Sequence, residues 1–200
     1  MSPALHLDPA LRTTLDSAFA VLFAWAAAHK LRDVAAFRAA LAAYALLPAR
    51  AVAACAAACI AAEIGIAAAL LLPGFAPLGT LAAALLLCAY AGAMAINLWR
   101  GRRDIDCGCV GAAARRPLSS ALVVRNAVLV VLALAATLPA TTRTFAWIDA
   151  VTIAAGMFTL ALLYAAVDGL IANAPRSTVL AHRQSHPDLF HASHPYVDHA

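Results

Sequence analysis

Two cysteines one residue apart, Cys107 and Cys109, lie in a short charged run, Arg100-Gly-Arg-Arg-Asp-Ile-Asp-Cys-Gly-Cys-Val-Gly111, in a chain that is otherwise mostly apolar. Nothing about a loop between apolar helices requires thiols there. A Cys-Gly-Cys disulfide closes a small, strained ring, and strained exposed disulfides are labile and exchange readily. Gly108 lowers the backbone cost of closing it. The arginines on either side favour thiolate, the nucleophile of exchange, while Asp104 and Asp106 oppose it. The spacing points to thiol redox chemistry. Two inert thiols and half of a metal site are the alternatives, but a metal site needs four ligands and no histidine is near in sequence, so no metal is expected.

Cys55 and Cys59 are four residues apart, and Glu63 is four further on, so all three share one face if the segment is helical. In a straight helix the two thiols are too far apart for a good mutual disulfide. Each can instead meet a thiol from another element, or simply pack as a small apolar side chain. Cys88 reads as core filler. Glu63 falls near the middle of its apolar run, where an ionisable group is costly and faces the bundle interior. Arg125 is the sequence's candidate partner, in either a structural ion pair or a proton-handling role beside the thiols. Asn97, Asn126, Asp149 and Asp168 fall near run ends and read as solvated. His29, Lys30 and Arg32 form a cationic edge on the thiol side. They either snorkel to the interface or meet a redox partner or a quinone head group.

The elements that must position these groups are membrane helices. Of 200 residues, 64% are hydrophobic and 12% charged, against about 25% charged in a soluble domain. Mean hydropathy is +0.85. Apolar runs over residues 15–31, 50–72, 78–99, 119–138 and 145–171 are each long enough to cross a bilayer core of about 30 Å. The expected fold is all-α: a polytopic membrane helical bundle of about five transmembrane helices, a four-helix core plus one. Frequent alanine suits close helix approach. Phe37, Leu41 and Tyr44 recur at helical spacing within residues 32–48, which predicts a short interfacial helix after the first span. The first apolar run ends in His29-Lys30, not at a small-residue cleavage site, so it is expected to remain a span.

Residues 1–174 are expected to form one bundle and residues 175–200 a disordered His-rich tail, with Pro175, Pro187 and Pro195 and five histidines at no recognisable metal spacing. Five cysteines is an odd number, so one thiol is unpaired, transiently paired or paired between chains. Lys30, Arg32, Arg38, Arg50, Arg100, Arg102, Arg103, Arg115, Arg116, Arg176 and Arg183 fall on one side of this topology, and only Arg12 and Arg143 on the other. The positive-inside rule then places the Cys-Gly-Cys loop in the cytoplasm of a cell inner membrane. The net charge of +4 sets orientation and does not imply nucleic-acid binding, for which the aromatic share is also low.

His29-Lys-Leu-Arg-Asp33, Phe37, Tyr44-Ala-Leu-Leu-Pro48, Glu63 and Asn97-Leu-Trp-Arg-Gly101 leading into Asp106-Cys-Gly-Cys-Val-Gly111 together resemble the MauE/DoxX-like family of redox-associated membrane proteins. The resemblance covers the first 111 residues, and the run closing on Cys-Gly-Cys is its most specific part. It implies a membrane protein acting in disulfide formation or maturation of a disulfide-rich client, such as the methylamine dehydrogenase small subunit, beside a thioredoxin-like partner. Cys107 and Cys109 would be its redox pair. A non-catalytic membrane scaffold and a quinone-linked thiol oxidase are the other readings, the latter adding a quinone as cofactor. A transporter finds no support, because Pro73 and Pro139 fall at span ends and no broken-helix pair is evident.

Overall fold

The computed structural model describes residues 6–105, 118–141 and 143–185, with side chains through 171 and at 173. Cys107, Cys109, Arg115 and Arg116 lie outside these residues, as do 186–200 of the His-rich tail. Six helices follow one another among the described residues: α1 Pro9–Arg32, α2 Val34–Ala43, α3 Ala49–Leu71, α4 Ala76–Trp99, α5 Ser120–Ala136 and α6 Trp147–Ser185. The all-α membrane bundle expected from the sequence is therefore the observed class, with α2 as the short helix after the first apolar run. α3, α4 and residues Trp147–Ile171 of α6 are long and apolar enough to cross a membrane. The other two apolar runs fall short of this for visible reasons. α1 has 24 residues but carries Arg12, Asp16, Lys30 and Arg32, and α5 has only 17 residues.

Two compact units are distinguished, residues 1–162 and 163–200. The first holds α1 to α5 and the start of α6. The second holds the remainder of α6, which runs through Pro175 to Ser185, past the boundary expected at residue 174.

Local chemistry explains the helix ends. Asp8 caps α1 by accepting from the Ala10 N–H, and Asp33 caps α2 by accepting from the Ala36 N–H at 2.8 Å. Asp33 has φ −144° and ψ 75°, outside the helical region, so the chain turns there and α2 departs from α1. Pro48 precedes α3, where a missing N–H costs nothing. Gly101, at φ +74°, ends α4 in the left-handed conformation that side chains resist.

Within residues 1–162, α1 packs mainly on α3, α3 on α4, and α4 on α5. Their shared core is Phe19, Phe23, Ile66, Leu70, Leu87 and small alanines including Ala83 and Ala133. Gly79 lets α4 come close to α3, since a methyl there would sit 3.0 Å from the Leu70 side chain. Large apolar residues such as Trp25, Leu85 and Val131 point outward, as expected of helices solvated by lipid. Cys88 is also exposed on this outer surface and is not core filler.

At the opposite end from α2, the chain before α1 pairs with the α5–α6 link. Leu7 N–H donates to the Pro139 carbonyl at 2.9 Å, and Thr141 N–H to the Leu7 carbonyl at 3.0 Å. Arg143 clamps this junction, donating to Asp8 at 3.0 and 3.1 Å and to Asp149 at 2.7 and 2.8 Å. Asp149 is thereby buried, not solvated.

Candidate functional site: a buried ion pair beside two thiols

Glu63 is 0% exposed and Lys30 7% exposed. Lys30 Nζ donates to Glu63 Oε1, and the Tyr90 hydroxyl donates to the same oxygen at 2.9 Å. Lys30 also lies over two rings, 5.1 Å from the centre of Phe37 and 5.3 Å from that of Tyr90. An ammonium ion removed from water is partly compensated by such ring faces. The other carboxylate oxygen, Glu63 Oε2, is buried with no hydrogen-bond partner among the described residues.

The partner of Glu63 is therefore Lys30 with Tyr90, in place of the expected Arg125. Packing gives the reason. α5, which carries Arg125, lies chiefly on α4, whereas α1 lies along α3 and delivers Lys30 to Glu63. Arg125 is itself buried on α5. The cationic edge at the end of α1 also divides. Lys30 turns inward, His29 stacks edge-on against Trp25 with centroids 4.8 Å apart, and Arg32 is exposed.

Cys55 and Cys59 are half-buried free thiols on the α3 face that carries Glu63. Cys59 has Cys55, the Tyr90 hydroxyl and the Lys30 ammonium as its interacting neighbours. Both thiols line an apolar cavity of about 250 Å³, together with Lys30, Phe37, Leu41, Tyr44, Tyr90 and Met94. Three elements thus converge: α2 supplies an aromatic wall, α3 the thiols and α4 a phenol.

Arg102 fastens this arrangement. Its guanidinium donates to the Ala43 carbonyl at 2.9 Å, the Tyr44 carbonyl at 3.2 Å and Asn97 Oδ1 at 3.3 Å. Those carbonyls end α2 and have no partner within it, so a cation there is doubly favourable. Asn97 is 0% exposed and donates to the Ala93 carbonyl. Asn97 and Asn126 are buried groups, contrary to the solvated position expected of them.

Sequence reasoning passed over Tyr90 and the role of Arg102. A phenol amid alanine and leucine, with no other polar group within a turn on either side, was the available signal for Tyr90. No metal-binding group of His, Cys, Asp or Glu occurs among the described residues.

The segment carrying this arrangement has known relatives. The family described as "Methylamine utilisation protein MauE" matches residues 8–139, which include every residue of the cavity. The chain belongs to the MauE family. MauE of Paracoccus denitrificans is 39% identical over 129 residues, covering 64% of this chain and 69% of that one. MauE of Methylophilus methylotrophus is 36% identical over 170 residues, covering 82% and 87%. MauE of Paracoccus versutus is 38% identical over 135 residues, covering 66% and 73%. No solved structure matches the chain.

Proposed function

We propose that this MauE-family membrane protein is a thiol–disulfide oxidoreductase of the cell inner membrane serving methylamine utilisation. Cys107 and Cys109 exchange electrons with a thioredoxin-like partner during maturation of a disulfide-rich client, such as the methylamine dehydrogenase small subunit. Cys55 and Cys59 form the second thiol station, inside the bundle. The basic residues flanking the loop put that end of the bundle in the cytoplasm.

The observation that carries this reading is the anchoring of Arg102 on Tyr44, at the edge of the cavity that holds Cys55 and Cys59. Cys107 is five residues beyond Arg102. Five residues of chain span at most about 17 Å, so the sequence separation allows a sulfur of the Cys-Gly-Cys pair to approach the cavity. Exchange is then a thiolate attack on a disulfide sulfur, with the displaced thiolate as leaving group. Lys30 stabilises negative charge that develops at Cys59, and Glu63 with Tyr90 keeps Lys30 in place.

Mixed-disulfide trapping with a thioredoxin-like protein lacking its resolving cysteine tests the proposal. Cys107→Ser and Cys109→Ser should each reduce or abolish the trapped species. Undiminished trapping when both are replaced would remove the reading. A scaffold role predicts instead that a variant without any of the five cysteines still supports maturation of the client.

A further inference from the structure

The cavity beside Lys30 has a chemical character that narrows what it can hold. Its walls are apolar apart from Lys30, the tyrosines and the two thiols. The charge of Lys30 is matched by Glu63. An anionic guest would add a second negative charge beside Glu63, and a cationic guest a second positive charge beside Lys30. Either would be an uncompensated charge away from water. A neutral guest is the one that fits.

The polar end of the cavity is a donor. An ammonium ion carries three N–H bonds and no acceptor, and the one hydrogen bond of Lys30 among the described residues goes to Glu63. Its remaining protons suit a carbonyl oxygen. Size gives the third restriction. A cavity of about 150 Å³ lined by apolar groups is enough to hold benzene, and this one measures about 250 Å³. It has room for a substituted ring.

We infer that the cavity between α2, α3 and α4 binds a neutral, lipid-soluble ring dione, chemically a quinone, with a carbonyl oxygen on Lys30 and the ring against Phe37 and Tyr90. The inference rests on the proposed thiol exchange for its redox role, but the binding site itself stands on the cavity alone. The electron balance is complete with the groups named. Oxidation of the Cys107–Cys109 dithiol breaks two S–H bonds, forms one S–S bond, and releases two electrons and two protons. The ring dione takes up both and leaves as the diol. Cys55 and Cys59 line the cavity that would hold the ring.

Equilibrium dialysis of the full chain in lipid nanodiscs, with duroquinone as probe and durene as its carbonyl-free counterpart, tests the inference. The expected result is saturable binding of one duroquinone per chain, with durene bound at least about tenfold more weakly. Ala93→Phe, which fills the cavity from α4, should weaken duroquinone binding by at least about tenfold. The double variant Lys30→Met, Glu63→Gln leaves no orphan charge, and should bind duroquinone and durene alike. Should Ala93→Phe not fold, the double variant alone decides. Duroquinone that only partitions without saturating, or that the double variant still prefers over durene, overturns the site. Mixed-disulfide trapping on the unaltered chain reads thiol exchange separately. A protein that traps its partner and binds no duroquinone keeps the proposed exchange and loses this inference.

Discussion

Lys30 at the end of α1 and Glu63 on α3, 33 residues apart in sequence, form an ion pair that is almost wholly out of water. The pair joins two of the helices that line the thiol-bearing cavity, and Tyr90 ties α4 to the same carboxylate. One carboxylate thereby links three helices around the place where chemistry is proposed.

Removing one member of this pair should be far worse than removing both. Lys30→Met alone or Glu63→Leu alone strands a buried charge, and loss of one partner typically costs about 3–5 kcal/mol. The double replacement should recover most of that loss. Thermal unfolding of the four proteins in one detergent forms the cycle, and additive losses would contradict the pairing.

Tyr90→Phe removes one hydrogen bond to Glu63 and leaves the ring in place. A destabilisation of about 1–3 kcal/mol is expected, because the donor served a charged acceptor. Reactivity of Cys59 toward a maleimide should change in the same variant, since the hydroxyl is one of its neighbours. An unaltered labelling rate would separate Tyr90 from the thiol.

Arg102→Lys keeps the charge but cannot span two carbonyls and Asn97 with one flat fork. The end of α2 should loosen, seen as faster amide exchange over residues 34–44 with α3 and α4 unaffected. Equal exchange in both proteins would show that α2 is held by its apolar face alone.

Much of this was legible beforehand, and the exceptions have physical causes. The apolar runs located the helices, because a bilayer permits little else. The stripe of Cys55, Cys59 and Glu63 is readable from the helical repeat alone, and the structure has Glu63 buried with both thiols half-buried. The partner of Glu63 was not readable. Arg125 and Lys30 are both cations at compatible depth, and choosing between them requires knowing that α1 rather than α5 lies against α3. Asn97 and Asp149 looked solvated because they stand near helix ends, yet Arg102 and Arg143 fold back to cover them. Cys88 was misplaced because an alanine-rich helix has no strong polar face to mark its outside.

At the other end of the bundle, the Asp8 carboxyl is held below its ordinary pKa of 3.8, first by Arg143 and then by the Ala10 N–H. A depressed carboxyl contributes stability that is full above its unfolded pKa and is lost as pH falls through the folded value. The contact between Leu7 and residues 139–141 should therefore hold at neutral pH and open only in acid below that ordinary value. Amide exchange at Leu7 and Thr141 across an acid titration checks this. Arg143→Gln should open the contact at neutral pH already.

The central claim is that Cys107 and Cys109 cycle between dithiol and disulfide. A variant with only Cys88 replaced by serine keeps both thiol stations. The redox state of its peptide carrying Cys107 and Cys109 in growing cells, read by differential maleimide labelling and mass spectrometry after acid quenching, is the most direct measurement. The account predicts a mixture of the two forms that moves to one side when the thioredoxin-like partner is deleted. A pair that stays fully reduced, with and without the partner, would contradict it.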